Sequence, residues 1–224
     1  EVMPWAVQVT EMRLWLQTLA SSPLPDEPRF LPIHLRLGDS LVQGENRRYD
    51  IVIGNPPYVR QEKIAPPLER AQDYSPAEWL EGKRAYKARL QAGIAQAYPH
   101  FFGYNPRTGK VARKLDGKSD LYIYFYFYGL SLLKPHGSFC FITANSWLDV
   151  GYGADLQEFL LKHVPIKLIL DNQVKRSFQQ AAVNTVIALL GAPNDQHPCG
   201  LANNARFVML KVPFEDVPWP EALA

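Results

Sequence analysis

Two cysteines in 224 residues, Cys140 in an apolar run and Cys199 in a polar stretch, are too few for a disulfide framework and fit a reducing compartment. Metal-ligand spacing is also lacking, since His197 and Cys199 stand close in sequence but no second pair completes a site. No run of residues is long and apolar enough to cross a bilayer, and the first residues carry neither the basic flank nor the cleavage site of a signal peptide. These absences point to a cytoplasmic protein with no membrane partner. Repeats and low-complexity tracts are missing too. Glycine pairs compactly at Gly151 and Gly153, in a stretch that reads as a loop. A net charge of +2 is too small to argue for nucleic acid by itself.

What is present is an ordinary globular composition, 47% hydrophobic and 21% charged, which supports one large domain with a sizeable core. The charge is unevenly placed. Residues 60–118 hold twelve Lys and Arg against six Asp and Glu, so this stretch either faces phosphates or is a solvated helical insert.

Apolar residues at Trp5, Val9, Met12, Leu16 and Leu19, following Pro4, predict an amphipathic helix with proline in its first turn. Strands are expected over residues 33–37, 49–53, 139–143, 166–170 and 183–190, with a clear helical pattern over 154–163. The alternation predicts an open α/β sheet, mostly parallel. In residues 121–128 alternating aromatics favour a strand, but the following 130–133 with Pro135 and Gly137 look like a helix end, and helix is the reading adopted. From Pro193 onward the prolines and the Asn203-Asn204 pair read as an exit from the domain.

Ligands of such sheets collect at the carboxyl ends of the strands, and there the chain reads Gly54-Asn55-Pro56-Pro57-Tyr58. Two prolines remove two backbone donors and stiffen the loop, leaving carbonyl acceptors beside the Asn55 amide oxygen. An exocyclic NH2 group has two hydrogens to donate, which Asn55 and the Pro56 carbonyl can accept, while Tyr58 offers a flat face to an aromatic ring. The plain alternative is a proline-bracketed turn with a surface tyrosine.

The surroundings of this loop carry a resemblance. Asn-Pro-Pro-Tyr resembles motif IV of the amino-methyltransferases acting on adenine, and the preceding Gly38-Asp39-Ser40-Leu41 looks like their motif III. Asp120-Leu121-Tyr122 with the turn at 133–137, the segment 141–148, and Phe178 with 183–190 resemble later pieces in the same order. Glu1-Val2-Met3-Pro4 is similar to the acidic end of the second strand. The chain thus resembles gamma-class DNA adenine-N6 methyltransferases of large restriction-modification and phage-defence enzymes.

This resemblance implies a Rossmann-like S-adenosylmethionine-dependent methyltransferase fold over residues 1–192, with the basic insert at about 60–118 and the exit segment 193–224 leading toward a target-recognition domain. It implies that Glu1 and Asp39, with Val2 and Ser40 beside them, bind S-adenosylmethionine. Asn55 and Pro56 would accept the N6 hydrogens of an adenine extruded from double-stranded DNA, and Tyr58 and Phe178 would stack on that base. No metal is expected in this chemistry. The family's first strand and glycine loop have no counterpart here, so the fold is expected to be incomplete and prone to aggregate, and a nuclease or recognition domain is expected in the same longer chain. Three rivals stand beside this reading: a protein-glutamine methyltransferase, an RNA-adenine methyltransferase, and a nonenzymatic nucleic-acid-binding remnant.

Overall fold

The computed structural model describes residues 9–10, 12–14, 35–67, 69–172, 184–199, 204–212 and 216–217. Residues 9–10 and 12–14 are helical, in agreement with the first expected helix, most of which lies outside the described residues, as do Glu1, Val2 and Phe178.

Five strands form one sheet: β1 (Tyr49–Gly54), β2 (Leu133–Ala144), β3 (Ile166–Asn172), β4 (Thr185–Gly191) and β5 (Arg206–Leu210). Their order is β1-β2-β4-β3-β5. The class is the expected Rossmann-like α/β with a mostly parallel sheet, four strands running one way and one against them. β1 with β2 and β3 with β5 are parallel, while β4 runs antiparallel to both of its neighbours. Strand polarity is a property of connections and neighbours, which apolar alternation does not encode.

Two differences from expectation concern strands. Residues 35–37 have no regular structure although the pattern predicts a strand. No described strand lies alongside to complete their ladder hydrogen bonds, and β propensity without a partner is weak. Conversely β5 lies within the stretch read as an exit, where its exposed Phe207, Val208 and Met209 gave no alternation to read.

Three helices of ten or more residues share one core with the sheet. The first, α1 (Pro76–Ala97), starts at a capping box in which Ser75 accepts from the Glu78 N–H and Glu78 accepts from the Ser75 N–H, with Pro76 in the first turn. It buries Tyr86, Leu90 and Ile94 at a four-residue spacing. The aromatic run forms α2 (Leu121–Ser131), which buries Tyr122, Ile123, Tyr124, Tyr126 and Phe127 and so is enclosed on all sides. Gly129 lets it approach the sheet: a Cβ there would lie 2.8 Å from Phe139 Cε2 and 3.1 Å from Phe141 Cζ. The third, α3 (Ala154–His163), buries Leu156, Phe159 and Leu160.

Because α1 belongs to the stretch 60–118, the basic insert shares the core. Arg113 fastens it further: the guanidinium lies 4.4 Å from the centre of the Phe101 ring and 2.6 Å from both Asp155 Oδ1 and Glu158 Oε2 on α3. Hydrogen bonds from Arg113 and Lys162 hold the Glu158 carboxyl down at about 2.

At the other side, β1 is the edge of the sheet and pairs only with β2 among the described residues. Its Ile51 and Ile53 are 69% and 76% exposed, an apolar pair on an open edge. Replacing both with lysine is expected to reduce self-association of the 224-residue chain, because charge on an open edge opposes strand addition. Sedimentation velocity at rising concentration reads this; equal self-association of the two chains would assign the stickiness to another surface.

Candidate active site

β1 ends at Gly54, beside the run of β2 toward Ala144, and the chain leaves it through Asn55, Pro56, Pro57 and Tyr58. Pro56 is buried, Asn55 is exposed and Tyr58 is half-buried. A loop with two prolines has few donors with which to hold itself, and it is held from outside. The Leu121 N–H donates to the Val59 carbonyl at 3.0 Å, and the Gln61 N–H donates to Asp120 Oδ1 at 2.9 Å. Asp120 precedes a helix, where an aspartate normally caps, yet it makes no side-chain bond to α2 and serves the loop instead.

The second oxygen of Asp120 accepts from the Tyr152 hydroxyl at 3.2 Å. Having donated its one proton, Tyr152 can only accept from Ser146 at 2.8 Å and Tyr122 at 3.2 Å, and Ser146 and Tyr122 are themselves 3.0 Å apart. The loop after β1 is therefore linked through Asp120 to the two 3-10 turns after β2, Asn145–Leu148 and Gly151–Gly153. Burial pushes the Tyr122 hydroxyl far above its usual range, so it stays protonated within this cluster.

On the other side of the loop lies Asp39. It caps the single helical turn Ser40–Gln43, its Oδ1 accepting from the Leu41 N–H at 3.1 Å, while its Oδ2 accepts from the Tyr86 hydroxyl at 2.7 Å. Asp39 and Ser40 line the same cavity as Asn55, Pro56 and Pro57, with Tyr86 and Phe125 also in its wall. Its volume is about 590 Å³, in the range of small-molecule sites. A larger opening of about 1120 Å³, between Arg48, Tyr98 and Leu133 at the other end of β2, holds none of the expected site residues.

The structure thus brings Asp39, Ser40, Asn55 and Pro56 together. Tyr58 does not line the cavity; its hydroxyl points to the Ile142 carbonyl at 3.4 Å, and burial raises its pKa. Glu1, Val2 and Phe178 lie outside the described residues. Among the described residues no group of three or more His, Cys, Asp and Glu could hold a metal ion.

The sequence reading missed Tyr86, the place of Asp120 in the loop, and the aim of two lysines. Lys83 donates to the Glu62 carbonyl, and Lys87 donates to Gln61 Oε1 at 3.3 Å and the Gly117 carbonyl at 3.4 Å. Burial, then the neighbouring Lys83, lowers the Lys87 pKa. A signal existed for Tyr86 alone: it falls on the Leu90 and Ile94 stripe, and a buried tyrosine needs a partner for its hydroxyl.

Residues 1–178 match the Eco57I restriction-modification methylase family. The chain belongs to that family. Among similar curated proteins, the type II methyltransferase M.PaeR7I of Pseudomonas aeruginosa is 26% identical over 137 residues, covering 61% of this chain and 18% of that protein. M.XhoI of Xanthomonas vasicola is 32% identical over 120 residues, covering 51% and 15%. This member of the Eco57I family thus spans less than a fifth of either relative. The M protein of the type I restriction enzyme EcoKI shares the fold, with a TM-score of 0.51 at 16% identity over 96% of this chain and 35% of that one. No helix among the described residues is long and apolar enough to cross a membrane.

Replacing Asp120 with alanine leaves the Gln61 N–H and the Tyr152 hydroxyl without their acceptor. In the full-length protein this is expected to cost about 1–3 kcal/mol in urea unfolding, with Asp120→Asn, which keeps one acceptor oxygen, costing less. Equal stability of Asp120→Ala and the parent would show that the loop does not depend on this tie.

Proposed function

We propose that the cavity between Asp39 and Asn55 is the catalytic centre of a DNA adenine-N6 methyltransferase that uses S-adenosylmethionine. The observation that carries this reading is the shared lining: a half-buried carboxylate and an exposed Asn-Pro-Pro loop face one space of ligand size. Each Asp39 oxygen accepts one bond within the protein and keeps a lone pair for an amino donor, which suits the adenine of the cofactor. Ser40 is exposed beside it. When bound, S-adenosylmethionine supplies an electrophilic methyl group.

The chain's part is to prepare the nucleophile. An adenine N6 lone pair is delocalised into the ring, and N6 is hidden inside a duplex, so the base must be extruded. The Asn55 side-chain oxygen and the Pro56 carbonyl accept the two N6 hydrogens, favour a tetrahedral nitrogen, and stabilise the positive charge that develops on it. Among the described residues no intramolecular bond engages the Asn55 side chain, which supports its availability to substrate. Tyr58 and Phe178 are assigned to stack on the extruded base, and Glu1 and Val2 to the cofactor. The proton leaves N6 after transfer, to water. A methyl-transfer assay offering duplex DNA, RNA and a glutamine-bearing release factor tests the substrate class, and transfer to RNA or protein in preference to DNA would overturn it.

In the full-length protein, Asn55→Ala is expected to lower turnover about a hundredfold or more with DNA binding retained. Near-normal turnover would remove Asn55 from the mechanism.

The outer face of α1 is proposed to follow the DNA backbone. Lys83 and Lys87 donate into the loop, whereas Arg84 and Arg89 are exposed. Neutralising Arg84 and Arg89 together is therefore expected to flatten the salt dependence of DNA affinity by up to about two contacts, equally for all sequences. An unchanged slope would turn this face away from DNA.

A further inference from the structure

The Ser40–Gln43 turn is only four residues long and sets the place of Asp39, but it cannot by itself set the plane of the carboxylate. One backbone hydrogen bond, from the Leu41 N–H to Oδ1, leaves rotation about the terminal side-chain torsion soft. The second constraint comes from another element. Tyr86 is 5% exposed on α1, and its hydroxyl donates to Asp39 Oδ2 at 2.7 Å, the length of a charge-assisted bond. The turn also packs directly on α1, where a Cβ at Gly93 would lie 3.8 Å from the Leu41 carbonyl oxygen.

We propose that Tyr86 is a positioning residue for cofactor recognition, its hydroxyl holding the Asp39 carboxylate in the orientation that accepts an adenine amino group. This rests on the reading in which Asp39 binds the adenine of S-adenosylmethionine. With Oδ1 tied to Leu41 and Oδ2 to Tyr86, both oxygens are fixed in direction and each keeps one lone pair. Tyr86 lines the same cavity as Asp39, so the orientation is set at the site. Burial and the Asp39 carboxylate both raise the Tyr86 pKa, which keeps the phenol protonated and donating. A carboxylate so held discriminates by hydrogen-bond polarity. It attracts the amino group of adenine and repels the carbonyl oxygen that hypoxanthine carries at the same position.

The same helix also donates, through Lys83 and Lys87, to Glu62 and Gln61 just downstream of the Asn-Pro-Pro-Tyr loop.

The test is calorimetric binding of S-adenosylhomocysteine and S-inosylhomocysteine to the full-length protein and to its Tyr86→Phe and Asp39→Asn variants. The parent is expected to prefer the adenosyl ligand, Asp39→Asn to abolish that preference, and Tyr86→Phe to narrow it about tenfold by weakening the adenosyl ligand selectively. A packing role alone would weaken both ligands alike, so equal weakening, or no change, in Tyr86→Phe overturns the proposal while Asp39→Asn still abolishes the preference. A parent without preference, or one unaltered by Asp39→Asn, overturns the assignment of Asp39 itself and the proposal with it.

Discussion

The geometry of this site depends on the bond between the Leu121 N–H and the Val59 carbonyl, reinforced by Asp120 on the Gln61 N–H. Pro56 and Pro57 remove donors from the loop after β1, which makes it stiff but leaves it unable to anchor itself. Its position is borrowed from the start of α2. That helix in turn is placed by burial on all sides, with Gly129 bringing it against Phe139 and Phe141 of β2. β2 is also the parallel neighbour of β1, so the strand that delivers Asn55 and the helix that holds the following loop are referenced to the same strand. The carboxylate of Asp120 extends this frame to Tyr152, Ser146 and Tyr122 beyond the end of β2.

The opposite wall of the cavity has a different support. Asp39 stands on a single helical turn, and what steadies it is α1, through the Tyr86 hydroxyl and the packing of that turn against the helix. α1 belongs to the basic stretch, and its charges differ in surroundings: Lys83 and Lys87 are half-buried and donate to Glu62 and Gln61, while Arg84 and Arg89 are exposed. A charge excess read along the chain therefore mixes two roles, bracing of the site and an exposed cationic face. Arg113, which bridges to Asp155 and Glu158 while lying over Phe101, also spends its charge inside the protein.

Several features were legible before any coordinates. The apolar run of β1 followed by Asn55, Pro56 and Pro57 marked the end of a strand and an acceptor-rich loop, and the stripe of Leu156, Phe159 and Leu160 is a local pattern with a local cause. The aromatic run of α2 carried conflicting signals, resolved because its surroundings bury every side. The strand expected over residues 33–37 failed at residues 35–37, and β5 went unread, for the same reason: a strand exists by virtue of its neighbour, and a single chain segment does not contain its neighbour.

By itself, then, the sequence determined the chemistry on offer: which side chains accept, which stack, where donors are missing, and the order in which these pieces follow one another. Only the tertiary structure decided which of them meet. It placed Asp39 and Ser40 in one cavity with Asn55 and Pro56, turned the Tyr58 hydroxyl toward Ile142, put Asp120 to work on the loop rather than on its own helix, and set β4 antiparallel between β2 and β3. Each of these is a contact between residues distant in the chain. Such contacts are selected by close packing and by the need of buried polar groups for partners, which act on the folded whole and leave no periodic trace in any one segment.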